Sequence, residues 1–452
     1  MKRSGLPWLA ISALLLATLA ASAGSRPHYG GTLHVTMRTS PRSLDPADIA
    51  DSLAGRNLIG LIFDTLVRID ASGRPQGAVA DSWQSVGDRR MEFHLRRNVK
   101  FHDGSPLTGE IAASSLRKTN PSWNVTASGD LVAIESNASA SELLQEVALS
   151  RNAIAKRDAS GKIIGTGPFQ IVDWQPSKRL TLTANEDYWA GRPFLDQIEI
   201  TMGISFRDQM NALESGRADL IEVAPEQMRM VSQRYEFLRS SPVELIALQF
   251  ARDANSAQEK SARDALRFSI ERRSMHDVLL QGAGQPTASL LPGWMSGYGF
   301  VFSNQADLAR AQQLRDQVPG VPSFTMGYDN SDPLARLLAE RIALNGKDAG
   351  LWVRLEPSAA DFRLVRMPLE SPDPWACLEG LARELGLPPI TARSDTIDQL
   401  FASEQAMLAS GRVVPLFHLP VSYASITNFM GWRIRNTGTL DLASAWLNGS
   451  PQ

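Results

Sequence analysis

Between residues 165 and 200 the chain reads GTGPFQIVDWQPSKRLTLTANEDYWAGRPFLDQIEI, and this run restricts the possible folds more than any other. Phe169, Ile171 and Asp173 alternate with Gln170, Val172 and Trp174. After a four-residue polar break, Leu180, Leu182 and Ala184 alternate with Thr181, Thr183 and Asn185. Two period-two segments around a short break predict an antiparallel hairpin with one face buried. Ahead of it, Gly165 and Gly167 flank Thr166, and Pro168 fixes its own φ. The backbone is therefore expected to turn sharply and present Thr166 and its amides to a neighbouring surface. Tyr188 and Trp189 are expected to pin the exit to a core.

The other segments fit an α/β chain. Residues 31–37 read as a strand, and residues 39–43 as a loop at its end. Such loops face ligands in α/β proteins, which makes Ser40 a candidate contact. Residues 48–67 begin as a helix with Leu53, Asn57, Leu58, Leu61 and Ile62 on one face. Phe63 ends it, with core packing as the reading its residue type gives. Residues 91–95 are a strand and 101–106 a turn built on Asp103-Gly104. Residues 120–129 read as a short polar bridge into a strand at 131–135. Residues 206–214 form a helix closed by Gly216, followed by a strand at 219–223.

Residues 262–280 read as a helix with Ala262, Leu266, Ile270 and Val278 inward. Residues 333–347 are the clearest helix: Asp332 caps it, Pro333 starts it, and Leu334, Leu337, Leu338 and Ile342 make its apolar face. With strands at 323–328 and 351–355 this is a second α/β layer. The apolar runs 245–250 and 413–417 are expected to be adjacent strands that cross between two lobes and form a hinge.

A chain of 452 residues has room for two or three domains. Its 46 basic and 48 acidic side chains give a net charge of −2, which argues against nucleic acid or an anionic membrane as partner. Residues 1–23 have the form of a secretory signal, with Lys2 and Arg3, an apolar stretch, and Ala21-Ser22-Ala23 as cleavage site. With no cysteine beside that site, the expected product is a soluble periplasmic protein. The single cysteine, Cys377, excludes an internal disulfide. His94 and His102 lack ligand spacing, so no metal site is expected. Ser115 and Lys118 match S-x-x-K without the accompanying K-T-G, and no other catalytic or cofactor motif occurs. A non-enzymatic protein without cofactors is therefore expected.

The best ligand-site candidate is Arg366-Met367-Pro368-Leu369-Glu370-Ser371-Pro372-Asp373-Pro374-Trp375. It holds two carboxylates three residues apart in a proline-stiffened loop beside an aromatic. Glu370 and Asp373 would be costly to keep together without a cation or donor between them.

In order along the chain, Gly30-Gly31-Thr32-Leu33, Ser43-Leu44-Asp45-Pro46, Phe63-Asp64-Thr65-Leu66-Val67, Ala80-Asp81-Ser82-Trp83 and Val99-Lys100-Phe101-His102-Asp103-Gly104 are followed by Gly165-Thr166-Gly167-Pro168-Phe169, Ala212-Leu213-Glu214-Ser215-Gly216 and Val414-Pro415-Leu416. This ordered set resembles the family 5 extracellular solute-binding proteins, the peptide- and nickel-binding components of bacterial ABC importers. The resemblance implies an α/β, two-lobed periplasmic-binding-protein-like clamp with a small extra subdomain in the first lobe. The expected division is lobe 1 at 24–246 with the subdomain at about 44–164, lobe 2 at 247–413, and a return to lobe 1 at 414–452. Residues 117–163 are shorter than the corresponding excursion in relatives.

By the same resemblance, the protein captures a peptide-like or cationic small solute by hinge closure, acts as a monomer, and serves ABC permease transmembrane subunits. A ligand-binding role in chemosensing without transport is the alternative. In peptide-binding relatives the loop reads G-W-x-x-D-x-x-D/E-P, and its first carboxylate meets the ligand's amino group. Glu370 and Asp373 keep that spacing, Met367 stands in place of the tryptophan and Arg366 in place of the glycine. The implied ligand set is Glu370, Asp373, Met367, Trp375, Ser40, Phe63 and Thr166. The arginine and tyrosine that take a dipeptide's carboxylate are replaced by Asp329 and Ser331, which argues against a free dipeptide.

Overall fold

The computed structural model describes residues 26–49, 52–70, 73–356, 360–390, 393 and 396–449. The signal reading of residues 1–23 lies outside the described residues. One sheet runs through most of the molecule. Its first half holds the hairpin Phe169–Gln175 and Arg179–Ala184, then Gln197–Met202, Thr32–Met37 and Leu220–Glu222. Thr32–Met37 is parallel to both of its neighbours. The hairpin has the predicted pairing, with one bulge between Ile171 and Asp173.

Two long strands, Glu236–Phe250 and Val413–Ser425, pair antiparallel and continue the sheet into its second half. There Phe362–Pro368, Ser323–Gly327 and Trp352–Leu355 follow. The halves have separate cores. Leu33, Leu58, Ile62, Phe169, Ile198, Val243 and Tyr423 belong to the first. Ile246, Leu248, Phe250, Leu266, Met326, Leu338 and Phe417 belong to the second.

The runs 245–250 and 413–417 are adjacent strand segments, as expected, but the crossing itself lies a few residues away. Ile246, Leu248, Phe250, Val414, Leu416 and Phe417 all pack in the second core, while Val243, Val421 and Tyr423 pack in the first. Between these sets Pro242 stands opposite Pro420, with register shifts on both sides of Pro242. A proline in each strand at one point removes two ladder donors, and the sheet is locally weak there.

A third core fills a subdomain of four antiparallel strands in the order Ala80–Ser85, Arg90–Leu95, Leu131–Glu135, Asn124–Ser128. The helix Gly109–Thr119 packs against it through Ala112, Ala113 and Leu116. The polar bridge read at 120–129 is in fact an edge strand of this sheet, turning at Gly129 with φ +64°. Its alternation is faint because only Val125 is buried along it.

Three helix readings are also corrected. Residues 262–280 are two helices, Ala257–Ser269 and Arg272–Val278, because Ile270 leaves helical geometry at ψ 112° while remaining in the core. Val278 is exposed. In Pro333–Asp348 the buried residues Leu334, Leu338 and Ile342 recur every fourth position, which rotates Leu337 to the surface. The helix read from residue 48 resolves into Pro46–Ile49 and Leu53–Ile62, with Phe63 extended as the C-cap of the second.

Candidate functional site

A cleft of about 730 Å³ opens between the two halves of the sheet. Its walls come from element ends. Arg38 follows the strand Thr32–Met37, Glu222 ends Leu220–Glu222, Asp332 caps Pro333–Asp348, and Arg366 and Met367 lie at the end of Phe362–Pro368. Ligand sites at the ends of strands are the rule in open α/β sheets.

Arg366 is a part-buried cation of this cleft. Its Nε and Nη2 donate to Glu244 Oε2 at 3.0 and 2.5 Å, and its Nη1 lies 3.7 Å from Asp332 Oδ2. Burial opposes its charge, but Glu244 first and Asp332 next outweigh that and hold the guanidinium above its ordinary range. Asp332 also accepts from the Leu334 amide at 3.0 Å, capping its helix.

On the other wall Glu222 accepts the Arg38 amide at 2.6 Å and Gln209 Nε2 at 3.3 Å, both on Oε2. Burial pushes the Glu222 carboxyl up. The Arg38 guanidinium lies over the Phe206 ring, 5.5 Å from its centre. Ser422 lines the same cleft, and its hydroxyl is buried without a hydrogen-bond partner among the described residues.

A second cavity, about 120 Å³, includes Phe63 and Glu370 in its lining. Here the cation that the Glu370 carboxylate requires comes from within the chain. Arg151 Nη1 is 2.8 Å away and Arg383 Nη2 3.2 Å. Burial works against its ionisation, but Arg151 prevails, helped by Arg56 and Arg383, and the carboxyl is held below its ordinary range. Arg151 lies in the short helix Ser150–Asn152, whose flanking residues Val147 and Ile154 belong to the subdomain core, so this pair ties the subdomain to the second lobe's loop. Two further contacts join this lobe to the first core's helix Leu53–Ile62 and to the subdomain helix Ala140–Val147. Arg56 Nη1 donates to the Leu369 carbonyl at 2.8 Å, and Arg393 pairs with Glu142 at 3.0 Å and with Glu379.

Of the sequence-predicted residues, only Met367 lines the principal cleft, and Phe63 and Glu370 line the smaller cavity. Ser40, Thr166, Asp373 and Trp375 line neither. Asp373 is the N-cap of Pro374–Leu385 and accepts from the Ala376 amide at 2.8 Å. Trp375 packs against the core around Cys377 and Leu378. Thr166 is fully buried, and its hydroxyl donates to Asp64 at 3.1 Å. The same carboxylate accepts Tyr188 and Trp189, so the glycine-flanked turn faces inward, toward a polar cluster.

Sequence reading missed Arg38 and Glu222. The only signal available was that each closes a strand of the α/β sheet. His102 donates from Nε2 to the Gly167 carbonyl at 3.1 Å. No cluster of three or more metal-ligating side chains occurs among the described residues, and no helix among them is long and apolar enough to cross a membrane.

Residues 74–370 match the family described as bacterial extracellular solute-binding proteins, family 5, middle region. The chain is 28% identical to the nickel-binding protein NikA of Staphylococcus aureus over 284 residues, 59% of this chain and 56% of that protein. It therefore spans little more than half the length of that relative. It is 22% identical to the oligopeptide-binding protein OppA of Bacillus subtilis over 422 residues, 78% of this chain and 77% of that one. The fold is shared with the dipeptide-binding protein of Pseudoalteromonas sp. SM9913, solved with Met-Leu. There the TM-score is 0.80 at 16% identity, over 92% of this chain and all of that one. A family match over well over half the sequence, on a fold of two sheet halves facing across a cleft, makes this chain a member of the family 5 bacterial extracellular solute-binding proteins.

Proposed function

We propose that the protein is a periplasmic substrate-binding protein that captures a peptide-like or cationic small solute by hinge closure and delivers it to the transmembrane subunits of an ABC-type importer. The observation that carries this reading is the principal cleft, walled by charged groups from both lobes and spanned by two strands that are weakest at Pro242 and Pro420. A ligand that touches both walls binds the closed form better and shifts the population toward it. The closed form is then what a permease recognises. The binding of nickel, oligopeptides or a dipeptide by the relatives supports a small polar solute.

In this reading Met367 contacts the ligand from the cleft wall. Glu370 and Phe63 act from the adjoining cavity, Glu370 by tying the lobes together in the closed form. Asp373 and Trp375 fix the loop that carries Glu370. Ser40 and Thr166 serve the first lobe's edge near the cleft.

The test is native mass spectrometry of the protein taken from periplasm, followed by small-angle scattering with and without the released solute. A bound small molecule whose return lowers the radius of gyration is the expected outcome. Absence of any bound solute, with identical scattering in periplasmic extract and in buffer, would count against the proposal.

A further inference from the structure

The proline pair in the crossing strands leaves a carbonyl to satisfy. Pro242 stands opposite Pro420, which has no N–H to offer it. Its carbonyl oxygen is reached from the second lobe instead, where Trp294 Nε1 donates to it at 2.8 Å. Trp294 is 41% exposed, so core packing does not account for where its ring lies.

Trp294 sits in a strap, residues 285–304, that the second lobe holds at several points. Gln285 and Pro286 pair with His418 and Phe417, on the second-core side of Pro420. Asn304 Nδ2 donates back to the Pro286 carbonyl at 2.8 Å and closes the strap. Within it, Glu404 of the helix Ile397–Ala409 is fully buried and collects four donors. Oε1 accepts the Ser289 hydroxyl at 2.7 Å and the Leu290 and Leu291 amides at 2.5 and 3.3 Å, and Oε2 accepts the Tyr298 hydroxyl at 2.8 Å. Phe401, one turn before Glu404, meets the Tyr298 ring edge-on with centres 5.3 Å apart. A buried carboxylate that receives four donors fixes a loop firmly, because each lost donor leaves it short of a partner in a medium of low dielectric. The strap therefore moves with the second lobe, while Pro242 is the neighbour of Val243 in the first core.

Resting on the hinge-closure reading above, we propose that Trp294 is a positioning residue for closure: its indole N–H, carried by the Glu404-anchored strap, restrains Pro242 and sets how freely the lobes turn about it. The strand pair alone is weak at this point, and the indole supplies from the side what the missing ladder donor does not. In the conformation described, the lobes touch through Arg151 and Glu370. A hinge released from its brace departs from that conformation by opening. A braced hinge lowers the ordering cost that a solute meets when it closes the cleft.

The experiment uses the mature protein, freed of bound solute by dialysis in urea and refolded, and reads amide exchange and small-angle scattering. Two replacements at one position separate the hydrogen bond from the ring. Trp294→Phe keeps an aromatic ring and loses the N–H; Trp294→benzothienylalanine keeps nearly the whole indole shape with sulfur in place of the N–H. Both should speed exchange of the Ser241, Val243 and Val421 amides by about 5-fold, the worth of one hydrogen bond, while Leu248 and Val414 keep their rates. Both should also raise the radius of gyration. Tyr298→Phe, which takes one donor from Glu404, should speed the same three amides by about 2-fold or more in the wild-type background. In the Trp294→Phe background it should add nothing, because both changes act through one bond.

Wild-type rates in the benzothienylalanine variant would assign the effect to the ring and overturn the proposal. So would equal acceleration of all five amides, additive effects of the two substitutions, or faster exchange with unchanged scattering, which would make Trp294 a local surface contact. Because the protein is free of solute throughout, these outcomes leave the solute-binding reading intact. If Ser241 and Val243 are as protected as Leu248 in the wild-type protein, the hinge lies elsewhere, and the brace falls with the hinge placed at Pro242 and Pro420.

Discussion

Glu370 illustrates how a residue chosen for one reason can act for another. Its carboxylate, 8% exposed, meets Arg151 from the subdomain and Arg383 from its own lobe. Replacing it with glutamine leaves the largely buried Arg151 with Glu146 alone and takes the partner from the exposed Arg383. Glu370→Gln is accordingly expected to cost about 3 kcal/mol of stability, as the loss of one partner from a buried pair typically does, and urea unfolding measures it. Asp373→Ala should cost about 1 kcal/mol by removing a helix cap, and Asp373→Asn close to nothing, because asparagine caps as well. Equal thermal shifts for the two would mean that the cap is not what Asp373 contributes.

His418 makes a pH prediction at the same scale. The ring is 1% exposed and donates from Nε2 to the Leu290 carbonyl at 3.0 Å. Burial, only partly offset by that bond, lowers its pKa from 6.5 to about 4. In the unfolded chain the same histidine takes its proton near pH 6.5. Its contribution to stability is therefore present above about pH 6.5 and lost as pH falls toward 4, by at most roughly 3 kcal/mol. Unfolding free energies at pH 7.5 and 4.5 should differ less in His418→Asn than in wild type. An identical difference would remove His418 from the account.

At the scale of elements, the turn before the hairpin is held by close approach and not by unusual backbone angles. Neither Gly165 nor Gly167 has a positive φ. A Cβ on Gly165 would come within 2.0 Å of the Ile62 carbonyl oxygen, and one on Gly167 within 2.5 Å of the Ile62 carbonyl carbon. The Gly167 amide donates to that same oxygen at 2.9 Å. Gly167→Ala should thus destabilise by at least about 2 kcal/mol, the cost of forcing extra volume into a packed site. Gly60, exposed in the helix Leu53–Ile62 with nothing near its Cβ position, is the contrast. Gly60→Ala should stabilise by about 1 kcal/mol through helix propensity. Chemical denaturation of both variants checks the pair, and shifts of the same sign would refute the distinction.

For the whole molecule, the two crossing strands are the mechanical link. Their ladder has register shifts on both sides of Pro242, opposite Pro420, and another between Ile246 and Ala247, but only the former lies between the two cores. Opening of the lobes should therefore concentrate at Pro242 and Pro420, and the Ser241 and Val243 amides should exchange with solvent at least about 10-fold faster than those of Leu248 and Val414, which are paired in register. Uniform protection along both strands would place the flexible point elsewhere.

Much of this architecture was legible in the sequence because local patterns are set by neighbours two to four residues apart. Alternation defined the hairpin, and Asp332 with Pro333 marked a helix start to the residue. The ordered motifs pointed to the family. What the sequence could not decide is which charge meets which. Glu370 finds Arg151 across 219 positions and Arg366 finds Glu244 across 122. No spacing rule reaches that far, because such pairs form only when sheet order brings distant strand ends and loops together. The polar edge strand Asn124–Ser128 was missed for the same reason, since its partner supplies the pairing that its own residues do not advertise. Residue types and periodicity thus determined the elements and the class of fold, while the tertiary structure alone decided which carboxylates meet which cations, because only sheet order brings those distant residues together.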